Sequence, residues 1–597
     1  VDRREIEFLV GVSCMVSNLV WPLIICLAAP PLEPASPDAS PRGGTTILDA
    51  AAFGLPVDGQ ADATEALVRC FEEAERRGGA SVRIPPGTYR LSGQRPIPLC
   101  SHLSVDARSA RFILPNTLPD AARLVLFHGR GVTDLDWTGG HFEGRCFDPA
   151  EFDPEQPDII WPPNANTRAL LIESSLEQPA ARIRIRDMTS NRLAGAAITV
   201  EGVRDPQNER LVKQPAEQIS VDHCRLLQTG KFMWDYGYLW QMVVWPEEYS
   251  PRERALASRF FRHDLVRGPL QIAAGDDRVR FANNPPLPVT AARPAHEADR
   301  GHDAVCFFGD ELPPELVRGK QYFVVESTPE FVRVAETVGG PPIRFSKVAG
   351  PQTRLIADLF SAHLALYAPV RSGPGKGAVD ITSARHVRVT NCTLSALGDT
   401  MHIQRCDNVV FANNQITGSR MGAFFIAEYC SNVSVTGNTV DGTNGSRVMS
   451  VEKSTRDITI TGNTFRNGGR GSWINQPENF VLTGNLFVNN TTKCEPSFAR
   501  GRKTFVTGDF EQYAELYFTT HEPGGRYRGV IVSDNLFVTG PDAAAAMSFA
   551  PGGDGLLLSD NMFRGQTAKL IIPADMQNVT VRDNVDLTAT AKSRLKN

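Results

Sequence analysis

The chain has 597 residues, 42% of them hydrophobic and 22% charged, with 50 glycines and 42 prolines, an ordinary globular balance tilted toward turns. A net charge of −5 argues against nucleic acid as a partner, because no excess of positive charge is there to meet a polyanion. The eleven cysteines are scattered with no CxxC or Cys/His metal spacing, which points to mostly free, buried thiols.

Taken in chain order, Arg3 and Arg4 precede an uncharged run from Phe8 to Ala29 and then PPLEPASPDASPRGG. Residues 1–42 therefore read as a signal peptide plus a Pro/Ser-rich linker, so export is expected, periplasmic, extracellular or at the cell surface. The run is about long enough to span a bilayer, which makes an uncleaved membrane tether the alternative. Residues 43–265 are expected to hold an N-terminal cap and the first coils of a solenoid. A strand near Ile47–Ala50 is followed by a turn at Asp58-Gly59. A helix then starts at Asp62–Thr64, whose side chains suit capping, and stops at Gly78-Gly79. ASVRI and a PPGTY turn come next. One amphipathic helix is what the open apolar end of a solenoid needs to cover it.

Asp49, Phe53-Gly54, Asp58-Gly59, Asp62-x-Thr64, Gly78-Gly79 and Ile84-Pro85-Pro86-Gly87-x-Tyr89 together resemble the N-terminal cap of pectate-lyase-like proteins. The resemblance implies a right-handed parallel β-helix, a superfamily that houses hydrolases, lyases, epimerases and phage tailspikes. It implies the fold and leaves the reaction open. Beyond it, ALLIES, RIRIRD, AAITVEG and QISVDHCRL read as strands of less regular coils, and 251–264 as a short helix. The most aromatic stretch, KFMWDYGYLWQMVVW, offers Trp234, Asp235 and Tyr236 as one end of a binding groove. Packing of these rings between coil and insert is the alternative. Residues 266–358 lose the repeat and read as an inserted, small β-barrel-like domain with Pro/Gly turns.

Residues 359–597 carry the strongest pattern. Asn414, Asn438, Asn463, Asn485, Asn535, Asn561 and Asn584 recur in one phrase, apolar-x-apolar-x-x-Asn-x-apolar, at spacings of 24, 25, 22, 50, 26 and 23. Repeats of this length mean a solenoid, and the alternation means short half-buried strands. The 50-residue interval is two turns, or one turn plus a large loop at 490–529. An αL-tolerant Asn at each bend can stack its amide on the next. Cys224 and Cys392 occupy the same slot upstream. The fold class expected is thus all-β, a right-handed parallel β-helix with a capping helix and an inserted domain.

Anchoring each coil on its phrase stacks AVDITSAR, TMHIQRC, FFIAEYC, VMSVEKS and SWINQP. Alternation sends Asp380, His402, Ile426, Ser450 and Trp473 outward in one column and Thr382, Gln404, Glu428, Glu452 and Asn475 in the other. Glu428 and Glu452 would face one groove from adjacent strands about 4.8 Å apart. Two carboxylates that close cannot both ionise cheaply, and a protonated acid beside a carboxylate is what glycosidic cleavage uses. Asp380 can orient His402, and Asp399 lies in the turn before it. Arg405, Tyr429, Lys453 and Gln404 could hold hydroxyls or a uronate, with Trp473, Ile426 and Phe424 as an apolar strip for sugar rings.

The expectation is a glycoside hydrolase acting on poly- or oligosaccharide through Glu428, Glu452, Asp380, His402 and Asp399. A polysaccharide lyase is the alternative, with His402, Arg405 or Lys453 as base and uronate partner. A non-catalytic carbohydrate-binding surface protein is the third reading, in which the polar column is simply solvated. No cofactor or metal is expected; a calcium ion belongs to the lyase reading only.

Overall fold

In the strand Met401–Gln404, Met401 and Ile403 point inward; after a turn, Asp407–Ala412 turns Val409 and Phe411 inward, and Gln415–Thr417 adds Ile416. All five side chains are at most 1% exposed, so one coil of the chain closes around a strip of apolar residues. The next coil repeats this with Gly422–Ile426, Ser431–Thr436 and Thr439–Asp441, each strand parallel to its predecessor. Stacking such coils builds three parallel sheets around one core. This computed structural model describes residues 3–6 and 47–588, except 115–122, 145–165, 209, 231–237, 250, 252–253, 256–257, 259–260, 262, 282–303, 338, 358–376, 397, 420–421, 443–446, 470, 493–513 and 521–523. The linker and most of the expected leader, Trp234, Asp235 and Tyr236, and part of 251–264 therefore lie outside the described residues.

The first sheet runs from Ile97–Leu99 through Ile198–Glu201, Val379–Thr382 and Arg447–Val451 to Leu570–Pro573, and Arg3–Ile6 joins its last edge antiparallel. Phenylalanines at one interior slot stack coil on coil: Phe465 on Phe487, Phe487 on Phe537 and Phe537 on Phe563, with centroids 5.0, 4.9 and 5.5 Å apart. Such face contacts add to area burial and fix the rotation of successive coils.

The asparagine column is a continuous hydrogen-bond ladder. Asn414 Nδ2 donates to Asn438 Oδ1 at 3.0 Å, Asn438 Nδ2 to Asn463 Oδ1 at 2.9 Å, and Asn463 Nδ2 to Asn485 Oδ1 at 2.9 Å. Asn485 Nδ2 reaches Asn535 Oδ1 directly at 3.0 Å, so the 50-residue interval is a single turn with a large loop. Cys392 N donates to Asn414 Oδ1, which puts Cys392 in the column as the sequence indicated. One detail is corrected: the left-handed residue is the one before each ladder Asn. Asn413, Gly437, Gly462, Gly484, Asp534, Asp560 and Asp583 have φ between 54° and 65°, while the ladder asparagines do not have positive φ. The bend is made by residues that tolerate that region, and the Asn is kept for its amide.

At the N-terminal end, helix Thr64–Arg76 buries Leu67, Val68, Cys70 and Phe71 against the first coils. Asp62 Oδ1 accepts from Thr64 N at 3.0 Å and Thr64 Oγ1 at 2.6 Å, satisfying the helix start. Between Arg225–Thr229 and Val379–Thr382 the chain leaves the coil. Strand Ile198–Glu201 nevertheless pairs directly with Val379–Thr382. The excursion contains a seven-stranded antiparallel sheet between Val266 and Ile356, with its own core of Phe307, Tyr322, Val324 and Val334. The aromatic stretch contributes helix Tyr238–Val244, which the sequence did not suggest. Trp245 packs on Gly319, where any Cβ would stand 2.0 Å from the indole, so part of this stretch does pack against the sheet. The described cysteines Cys70, Cys100, Cys224, Cys306, Cys392, Cys406 and Cys430 are all free and buried.

Candidate functional site

The outer face of the first sheet carries the chemistry-bearing side chains in two rows. Register pairs Asp380 with His402, His402 with Phe425, Phe425 with Ser450, Ser450 with Trp473 and Trp473 with Tyr517. The expected order is thereby corrected at one coil: Ile426 faces the core at 0% exposure, as does Phe424 at 1%, and Phe425 takes the outward place. The reason is the turn. Three residue steps separate Ile403 from Cys406, but four separate Ile426 from Cys430 and Val451 from Thr455. Counting back from Cys430 as if it matched Ser454 therefore slipped the strand by one, which flips every side chain. Ser431 in fact pairs with Arg456.

The slip also moves Glu428. Ala427, not Glu428, is the row neighbour of Glu452, and Glu428 stands one residue into the turn, before Tyr429 in a left-handed conformation (φ 62°). Its side chain returns to the row: Gln404 Nε2 donates to Glu428 Oε2 at 2.6 Å. Glu452 is half-buried on the neighbouring coil. Burial pushes its carboxyl above the usual range, the Glu428 charge adds to that, and Asp399 adds a smaller push. The Asn475 amide and the Arg447 guanidinium pull the other way. The structure therefore brings Glu428, Glu452 and Asp399 into one electrostatic neighbourhood. Asp399 is 1% exposed, and Gly422 leaves room for it: a Cβ there would lie 3.1 Å from Asp399 Oδ1.

Asp380 Oδ1 and His402 Nδ1 are 2.8 Å apart, each residue 5% exposed, with the Phe425 ring 5.5 Å from the imidazole. Flanked by a carboxylate and an aromatic ring, the histidine is withdrawn from solvent. The contact fixes Nδ1 on the carboxylate and leaves Nε2 for other work. Trp473 meets Tyr517 edge-on at 5.6 Å and carries the Arg447 guanidinium over its face at 4.5 Å. Arg405, 6% exposed, lies 5.3 Å from the centre of the Tyr429 ring, and Lys453 is half-buried in the turn after Glu452.

Sequence reasoning missed Phe425, Arg447 and Tyr517. It also missed an upstream continuation of the second row, where Glu173 pairs in register with Glu201, and Glu201 with Thr382. His128 Nε2 lies 2.7 Å from Glu173, and Arg168 pairs with Glu201. ALLIES and AAITVEG did hold the signal, a Glu at the same strand end twice, but no Asn anchor was there to align them. Among the described residues, no group of three or more His, Cys, Asp or Glu side chains is placed to hold a metal, and no helix is long and apolar enough to cross a membrane.

With the coil register established, the comparisons agree on architecture. A family model described as a right-handed β-helix region matches residues 370–508. Solved structures align over most of the chain at low identity. The A-module of a mannuronan C-5 epimerase from Azotobacter vinelandii aligns at 10% identity and a TM-score of 0.41, covering 90% of this chain and 97% of that one. DFA-IIIase from Arthrobacter chlorophenolicus aligns at 12% and 0.43, covering 87% and 94%. The Streptococcus pneumoniae surface adhesin PfbA aligns at 12% and 0.38, covering 90% and 93%. An uncharacterized Bacillus subtilis protein, YclG, is 38% identical over 72 residues, 12% of each chain. The protein is a right-handed parallel β-helix. A fold does not fix an activity, which is argued from the site.

Proposed function

We propose that the protein is an exported carbohydrate-active enzyme, and that it hydrolyses glycosidic bonds on the outer face of the first sheet. The observation that carries this is the half-buried Glu452 carboxyl, whose pKa is raised by burial and by the neighbouring Glu428 charge. Glu452 then serves as general acid toward the leaving oxygen. Glu428, gripped by Gln404, serves as the ionised partner, as base or nucleophile. Trp473 and Tyr517 give a sugar ring an aromatic wall, and Asp399, Asp380 and His402 set the field and hydrogen bonds around it. Under the same reading, helix Thr64–Arg76 caps the solenoid and residues 266–358 form the inserted domain.

A lyase is the second reading, favoured by Arg447 over Trp473, which puts a cation where a uronate carboxylate would sit. A glycan screen of the full chain, following reducing ends and unsaturated products together, separates the two. Glu452→Gln is expected to lower turnover about 10²–10⁴-fold with glycan binding retained. Because its carboxyl is raised, wild-type activity should fall as pH rises past the ordinary carboxylate range. Full activity in Glu452→Gln, or glycan binding with no turnover in the wild type, would defeat the hydrolase reading; the latter leaves a binding protein.

A further inference from the structure

The sheet that stacks Ala181–Arg186, Ala216–Asp222, Ala384–Thr390 and Asp407–Ala412 carries a groove of about 540 Å³ on its own outer face, away from the carboxylates of the first sheet. Its wall is basic: Arg182, Arg184, His386 and Arg388 line it, and no lining residue is acidic. Arg182 is already engaged by Asp134 at 2.5 Å. Arg184 and Arg388 are exposed, and neither forms an ion pair among the described residues. Asp136, the register neighbour of Arg184, pairs with Arg186 at 3.4 Å, and Glu217 pairs with Arg385 at 3.8 Å. Register places Arg184 beside Ser220 and Ser220 beside Arg388, so the two free guanidiniums emerge two strands apart. At the strand spacing of a sheet that is roughly 10 Å.

We propose that this groove is a second, non-catalytic site that binds an extended acidic glycan, with carboxylates of two separated sugar residues on Arg184 and Arg388. Guanidinium forks suit carboxylates in a bidentate grip. Ser220 stands between them; one strand beyond Arg388, half-buried Val410 gives a sugar ring an apolar floor, and Asn408, held to His386 at 2.9 Å, gives hydroxyls a polar edge. The basic wall is local, on a chain of net charge −5, which favours a uronate polymer held at two carboxylates over a nucleic acid that needs a longer basic track. The site is independent of the carboxylate neighbourhood around Glu452.

The test titrates full-length protein with a fluorescent oligogalacturonate, and with a neutral cello-oligosaccharide of equal length. The Arg184→Gln/Arg388→Gln variant is expected to bind the acidic chain about tenfold more weakly, with a shallower salt dependence. Each single substitution should give an intermediate loss. Unchanged affinity in the double variant, or equal affinity for the neutral chain, would overturn the proposal. So would a single-stranded oligodeoxynucleotide that binds as tightly as the uronate and is lost in the same variant.

Discussion

If the asparagine ladder holds the coils in register, cutting it at its centre should cost far more than cutting it at its end. Asn463 Nδ2 donates to Val435 O at 2.9 Å, Thr461 O at 3.0 Å and Asn485 Oδ1 at 2.9 Å. Its Oδ1 accepts from Asn438 N and Asn438 Nδ2, both at 2.9 Å. At 1% exposure no water replaces these. Asn463→Ala deprives the Asn438 N–H of this acceptor, about 1–3 kcal/mol for a buried donor, and removes further bonds worth about 1 kcal/mol each net. We expect a total of about 4 kcal/mol. Asn584 makes an analogous set, donating to Leu558 O and Arg582 O at 2.9 Å, but it is only half-buried in the last coil. Water can re-satisfy its partners, so Asn584→Ala should cost about 1 kcal/mol. Urea titration followed by circular dichroism reads both as midpoint shifts, provided the slopes match the wild type. Equal costs at the two positions, or less than about 1 kcal/mol at Asn463, would show that apolar stacking alone sets the register.

The ladder was legible because it demands one residue type at one slot. Seven asparagines in one phrase gave the solenoid, its coil length and the placement of Cys392. The candidate site was less so, since the outer face imposes no such rule. Strand parity placed Glu452, while Glu428 and Asp399 stand in turns and reach its neighbourhood through their side chains. The one-residue longer turn after Ile426 then misplaced Phe425, because turn length leaves no apolar signature in the sequence. Tyr517 was hidden behind the 50-residue interval, which alone cannot say whether the next strand is one coil away or two. Glu173 and Glu201 lie in coils whose ladder slot is filled by Met188 and Cys224 in place of Asn, so the anchor that aligned the later coils was missing.

The corrected register has its own test. Ile426→Ala should destabilise by about 2–4 kcal/mol as a core truncation, whereas Phe425→Ala should cost less stability and weaken glycan binding; the reverse ranking in thermal melts would restore the slipped register. Glu515 supplies the last prediction. It is fully buried on the first sheet and accepts from Asn490 N at 3.0 and 3.1 Å through its two oxygens. Burial pushes its carboxyl up to about 7 from an ordinary 4.5. Between those values the folded chain keeps a proton that the unfolded chain has released. The stabilising contribution of the protonated form is therefore complete below about pH 4.5, declines as pH rises and is gone above about pH 7. About 2.5 pH units at roughly 1.4 kcal/mol each make this about 3.5 kcal/mol. Glu515→Gln keeps an acceptor for Asn490 and cannot ionise, so its stability should lack this decline and exceed the wild type at pH 8. A variant less stable than the wild type at pH 8, with the same decline from pH 4.5 to 7, would mean that Glu515 stays ionised in the folded chain and that its bonds from Asn490 outweigh its burial.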